Sequence, residues 1–202
     1  MGLIECQHML SRLAFPVLVL FSASLPAQET SWRIDPNHSA AYFSVRHLMI
    51  STVRGEFSGI NGSMRYDPEH PTEARVEATI DCSTLNSGVA ARDAQMKGPD
   101  FFDVKRYPTM KFTSTQVKKS GPGKLKVSGD LTINATTRPV VLDVEGPSAV
   151  VKDARGREKI GLSAATRINR KEFGIIWNEI LETGGVAVAD EVSISLDIEF
   201  IR

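Results

Sequence analysis

Apolar and polar residues alternate with a period of two in one segment of this chain after another, and that pattern restricts the fold more than any other feature. A period of two belongs to an extended strand whose successive side chains point to opposite faces. Near the C-terminus Val192, Ile194, Leu196, Ile198 and Phe200 alternate with Ser193, Ser195, Asp197 and Glu199, so one face is dry throughout. The same reading predicts strands over residues 40–47, 62–66, 74–81, 109–117, 124–133, 140–150, 159–168 and 191–201. Turn signals separate them, among them Asp67-Pro68, Ser120-Gly121-Pro122-Gly123 and Ala135-Thr136-Thr137. Such short spacings favour antiparallel hairpins over crossover connections. A sandwich satisfies the alternation equally, but a closed barrel removes the sheet edges and needs about eight strands in one domain. The expected class is therefore all-β, an eight-stranded antiparallel barrel.

Two segments break the series. A short α-helix is predicted over residues 88–97, with Asn86 or Ser87 to cap its start and Gly98-Pro99 to stop it. Residues 169–185 form a second insertion containing Phe173, Ile175, Ile176, Trp177, Ile180 and Leu181, more apolar surface than a hairpin loop needs. Both are candidate lids over a barrel mouth.

At the N-terminus Leu13 to Leu25 is an apolar run preceded by Arg12 and followed by Pro26-Ala27, the pattern of a cleaved export signal. We expect residues 1–27 to be that signal and residues 30–202 one globular domain. The run is shorter than the ~20 residues that span a bilayer, and Pro16 breaks it, so no stable membrane span is expected after cleavage. The signal implies a periplasmic or secreted protein. Acidic and basic residues balance at 24 each, and the leader takes away one of either sign, Glu5 and Arg12. A polyanion-binding surface is thus disfavoured, and no nucleic-acid partner is expected. Of the two cysteines Cys6 leaves with the leader, so Cys82 has no intramolecular partner and reads as a small buried hydrophobe.

The motifs of a serine-hydrolase elbow, a phosphate loop, a dinucleotide fingerprint and a zinc-protease helix are all missing. His38, His47 and His70 are the histidines beyond the leader, and the nine-residue spacing of the first two puts them on opposite faces of an extended chain. We expect no metal, no catalytic residue and no cofactor. His47 follows Phe43 and Val45 in strand phase, which aims it inward near a strand end.

The order of motifs resembles the YceI-like family of secreted polyisoprenoid-binding proteins, from about Trp32 to Phe200. The matching pieces include Asp35-x-x-His38-Ser39, Phe43-Ser44-Val45-Arg46-His47-Leu48, Gly55-x-Phe57, Ala91-Arg92-Asp93, Asp100-Phe101-Phe102-Asp103, Gly129-Asp130-Leu131-Thr132-Ile133, Ile168-Asn169-Arg170 with Phe173-Gly174, and Asp190-Glu191-Val192. The resemblance implies an elongated, lipocalin-like barrel with a helical cap, whose apolar pore takes an isoprenoid chain such as a quinone tail or a polyprenyl phosphate. Asn134-Ala135-Thr136 departs from the family, whose members more often carry a glycine after the Leu-Thr-Ile run.

The expected ligand-binding set is Phe43, Val45, Phe57, Ile80, Phe101, Phe102, Phe112, Leu131, Ile133, Phe173, Ile176 and Trp177 around the chain, with His47, Arg92 and Asn178 as polar contacts at its ends. Two other readings stay open. The aromatic residues could plug the barrel instead of lining it, giving an interaction or stress protein. Alternatively, His47 with Asp93 could serve as acid and base on a hydrophobic substrate. Homodimerisation is compatible with such a barrel, and no sequence feature fixes it.

Overall fold

The computed structural model describes residues 31–182 and 185–202, so the expected leader, residues 1–27, lies outside the described residues. Among the described residues the strands are β1 (Ser31–Ile34), β2 (Ala40–His47), β3 (Ser51–Phe57), β4 (Ile60–Arg65), β5 (Arg75–Asp81), β6 (Leu85–Asn86), β7 (Thr109–Gly121), β8 (Lys124–Ile133), β9 (Thr136–Glu145), β10 (Val151–Lys152), β11 (Glu158–Asn169) and β12 (Val188–Ile201), with one α-helix, α1 (Ala90–Met96). All pairings are antiparallel, and β11 pairs with β12 to close the sheet on itself. The short strands merge into longer staves. β1 and β2 lie end to end along one edge of β12, and β3 and β4 lie end to end beside them. Counted this way the wall is a closed eight-stranded antiparallel barrel, the class expected from the sequence, and not the sandwich that the alternation equally allowed.

The alternation places the core. On β8 Leu125, Val127 and Ile133 are buried, while Lys124, Lys126 and Asp130 are exposed. Outward lysines pair across strands with carboxylates of β9, Lys124 with Glu145 at 2.6 Å and Lys126 with Asp143 at 2.5 Å. Such exposed pairs contribute little to stability but set which face is wet.

Three of the differences from the expected elements have a local reason. β3 was not foreseen because Gly55 interrupts its apolar rhythm, although Val53 and Phe57 keep the inward phase. β9 begins at Thr136 and ends at Glu145, before Gly146 (φ 108°) and Pro147 turn the chain. It can start so early because Asn134 adopts φ 54°, the left-handed region that Asn tolerates better than most residues. The departure from the family glycine thus leaves the two-residue turn intact. The helix starts two residues later than predicted, since Gly88 sits at φ 76°, with its N–H held 2.9 Å from the Asn86 side chain in a turn.

One ion cluster joins three staves at the end of the barrel where β1 begins. Lys159 of β11 donates to Asp35, just after β1, at 3.3 Å and to Glu199 of β12. His38 lies 3.1 Å from Asp35. Asp35, His38 and Glu199 have the makings of a cation site, but the ammonium of Lys159 already lies against both carboxylates. Burial pushes the Asp35 carboxyl up, yet hydrogen bonds from His38, the Asn37 amide and Lys159 outweigh it and hold it below its ordinary 3.8. The hydrogen bond to Glu199 raises Lys159 above its ordinary 10.5.

The signs follow from linkage. Stability contributed by Asp35 is present above the ordinary carboxylate value and is lost as the pH falls through its lowered one. That of Lys159 is present below its ordinary value and lost as the pH rises through its raised one. Urea midpoints measured against pH should therefore fall below about pH 4, and Lys159→Met should lower the midpoint at pH 7 while shifting this acid limb upward.

Candidate functional site

The barrel encloses a cavity of about 240 Å³. Its wall is hydrocarbon almost throughout, drawn from inward positions of nearly every stave. On β8 the lining runs from Leu125 to Ile133, eight residue steps or roughly 27 Å of strand, some ~20 Å along an axis inclined about 40°. It passes between two apolar clusters, one around Phe57, Ile60 and Met110 and the other around Val117, Leu125 and Val144. A barrel of eight strands has an interior wide enough either for its own side chains or for one small ligand.

Two glycines keep this interior open. Gly55 lies directly across from Phe43, and a Cβ at Gly55 would stand 2.4 Å from the Phe43 ring. A Cβ at Gly129 would stand 2.5 Å from the Phe112 ring and 2.6 Å from the Thr113 carbonyl. Each ring therefore lies flat against the wall, over backbone left bare by a glycine. Lacking that space, it would project across the lumen. Phe57 packs edge-on against Phe102 (5.4 Å, 82°) and tilted against Phe43 (5.9 Å, 48°), which orders the rings along one side.

Of the residues proposed from the sequence, Phe43, Val45, Phe57, Ile80, Phe101, Phe102, Phe112, Leu131 and Ile133 stand in the cavity wall. Six do not. Phe173 is fully buried behind the wall in the main apolar cluster. Trp177 packs on Phe101 (5.3 Å, 41°) as part of the lid, and Ile176 faces solvent at 70 % exposure. Asn178 clasps Val188, donating to its carbonyl at 2.7 Å and accepting from its N–H at 3.0 Å. Arg92 donates twice to Ser87, to Oγ and to the carbonyl, both at 2.8 Å. His47 sits half-buried at the rim, opposite Val188 and Ser51, and outside the cavity lining.

Asp93 accepts from the Ser87 hydroxyl and, at 2.8 Å, from its N–H. The hydroxyl bond holds its carboxyl below the ordinary 3.8. The carboxylate considered as a partner for His47 is thus engaged at the helix start. Cys82 is buried, and burial raises its thiol to about 11, so it stays a neutral thiol.

Arg170 is the residue that periodicity could not reveal. It is 4 % exposed, and its stem lies in the cavity wall. Its guanidinium donates to the carbonyls of Ile175 (2.8 Å), Trp177 (2.7 Å), Ala189 (3.0 Å) and Val188 (3.3 Å), with Asp190 at 3.5 Å. Burial lowers its pKa, and Asp190 opposes the shift. Four of its five N–H groups are thereby committed to backbone, which fastens the segment after β11 to the start of β12. The pairing of β12 with β2 slips in this same stretch, between Val188 and Val192.

Residues 32–200 match the YceI-like domain family. The chain belongs to the YceI-like family. A UPF0312 protein of Vibrio cholerae is 33 % identical over 165 residues, covering 81 % of this chain and 87 % of the relative. A UPF0312 protein of Photorhabdus laumondii is 36 % identical over 156 residues, covering 77 % and 80 %. Among solved structures, Burkholderia cenocepacia BcnA superposes with a TM-score of 0.70 at 25 % identity, over 82 % of this chain and 98 % of that one. A polyisoprenoid binding domain from Saccharophagus degradans superposes with a TM-score of 0.57 at 15 % identity, over 84 % and 97 %, a likeness of fold. The YceI-like motifs noted in the sequence map onto structure here: Phe43 and Gly55 form the ring-over-glycine pair, and Arg170 the lid fastening.

Two outcomes follow. Gly55→Ala should push the Phe43 ring into the lumen, costing about 1–3 kcal/mol and shrinking the space for ligand, as read by denaturation and by uptake of an apolar dye. Arg170→Ala should cost about 3 kcal/mol and raise hydrogen exchange in residues 175–189 before the rest of the barrel, because it strands several buried carbonyls.

Proposed function

We propose that this protein binds and carries, without catalysis, one long isoprenoid chain of the quinone or polyprenyl type, threaded along the barrel lumen. The observation that carries the reading is the lumen itself, an elongated cavity inside a closed wall, lined by hydrocarbon and held open by glycines beneath the Phe43 and Phe112 rings. Membership of the YceI-like family and the fold shared with a polyisoprenoid binding domain support the choice of ligand class.

Affinity comes from burial. Roughly 0.8 kcal/mol for each buried carbon lets a few five-carbon units outweigh the entropy lost on binding, with no charged contact inside. The wall reads shape and hydrophobicity, so the polar head of the lipid stays at the rim. Among the polar residues proposed for that end, Arg92 and Asn178 hold backbone in place, and His47 is the one positioned at the rim without such a clasp. The apolar run at residues 13–25 supports a periplasmic or secreted carrier, working where a water-insoluble chain needs a protein to cross aqueous space.

Organic extraction of protein purified without detergent, followed by mass spectrometry, tests this reading. It predicts a stoichiometric isoprenoid from the wild type and an empty extract from Ala164→Phe, which fills the lumen from a buried wall position while the barrel stays folded. A blank wild-type extract that persists after incubation with polyprenyl and quinone lipids would contradict it.

A further inference from the structure

At one end of the barrel the apolar surface continues out of the lumen. Val45, Ile175 and Val188 close the wall there. Just beyond them Met49 (59 % exposed), Ile50 (79 %), Ile176 (70 %) and Ile180 (84 %) project into solvent. The backbone joins them into one rim. Leu48 N–H bonds to the Ala187 carbonyl at 2.8 Å, Ala187 N–H to the Glu179 carbonyl at 2.9 Å, and Ile180 bridges to Val186. Large side chains exposed singly are ordinary, but several on one rim at the end of an apolar lumen mark an interaction site.

The hairpin tip is built unusually for this purpose. Leu48 and Met49, in the three-residue loop between paired His47 and Ser51, both adopt left-handed backbone, φ 49° and 59°, a region that hairpin turns normally fill with Gly, Asn or Asp. Bulky residues in that region are strained, and strain that the fold retains points to a use.

The charges around the rim select the occupant. Arg46 lies behind the tip, donating to the Met49 carbonyl at 2.7 Å and to the Thr52 hydroxyl at 3.1 Å. Exposed Glu179 and Glu182 flank Ile180. A cation and two carboxylates around an apolar tip match a surface that offers phosphates and ammonium groups side by side. A strongly anionic surface would meet repulsion from both glutamates.

We propose that this rim docks onto a bilayer of zwitterionic phospholipid, inserting Met49, Ile50, Ile176 and Ile180 so that the lumen opens onto the hydrocarbon where an isoprenoid resides. The inference rests on the carrier reading for its purpose, but docking itself needs no cargo. The rim, not a charged patch, supplies the attachment, so salt leaves it nearly unchanged.

Flotation of the purified protein with vesicles of phosphatidylcholine and phosphatidylethanolamine, free of isoprenoid, tests it. The wild type should float with these vesicles, less with vesicles rich in phosphatidylglycerol. Ile50→Ser combined with Ile180→Ser should weaken partitioning about ten-fold or more, as expected for losing two inserted aliphatic side chains. Both positions are exposed, and an unchanged urea midpoint together with unchanged uptake of an apolar dye from solution verifies the fold and lumen of the double variant. Wild type that stays unfloated, or a double variant that floats equally, overturns the docking proposal. So does a wild-type dimer in sedimentation that the double variant dissolves, since the rim would then cover a second copy. An empty wild-type extract with normal flotation would instead defeat the carrier reading and leave docking standing.

Discussion

The pairing of β11 with β12 decides everything else in this molecule. The ladder runs from Lys159 opposite Ile201 to Asn169 opposite Glu191 without a break. It completes a ring of pairings in which β12 also pairs with the N-terminal stave of β1 and β2, so the sheet has an inside. In an open sheet the same alternation would give one apolar face needing a partner. Closure turns that face inward on itself and removes the exposed edges that would otherwise pair with other chains. Whether the inside is full or hollow then depends on side-chain volume, and glycine settles it at two places. Phe43 and Phe112 have the bulk to block the lumen, but each lies down where its neighbour lacks a Cβ.

The two ends of the barrel are finished differently. Toward the start of β1, Trp32 is buried and the Arg202 guanidinium stacks on its ring at 4.4 Å, while Lys159 gathers Asp35 and Glu199 nearby. Toward the helix and the segment after β11, closure is by backbone clasps: Arg170 on four carbonyls, Asn178 on Val188, and Asn134 donating to the Phe101 carbonyl at 3.0 Å. These side chains position loops, and positioned loops leave their apolar residues free to face either lumen or solvent. The exposed rim and the buried lumen are therefore products of the same fastening. A helix of this length does not stabilise itself, and its start is held by the Ser87 contacts of Arg92 and Asp93.

Much of this was legible in the sequence because a period of two is a direct consequence of strand geometry. Val192 to Phe200 announced β12, and Phe43, Val45, Phe57 and Phe112 announced the inward face. What periodicity could not carry was the meaning of a residue that breaks it. Gly55 stood in the sequence only as part of the Gly55-x-Phe57 motif, yet its missing side chain is what the opposite ring needs. Arg170 stood in the sequence only within the Ile168-Asn169-Arg170 motif, and its burial was not legible because it depends on carbonyls brought from residues 175 to 189 by the folded chain. Arg92 and Asn178 were read as ligand contacts, and the structure adds a local role for each, Arg92 donating to Ser87 and Asn178 clasping Val188. The Asp35 cluster escaped notice because Lys159 and Glu199 lie far along the chain from it.

The central claim is that the lumen recognises a hydrocarbon chain by its length and slenderness. Titrating the delipidated protein with prenols of increasing length, and with the matching prenyl phosphates, tests it most directly. The account predicts that affinity rises with each added five-carbon unit until the lumen is filled and then levels off, along the same curve for both head groups. Affinity that ignores chain length, or that depends chiefly on the phosphate, would contradict it.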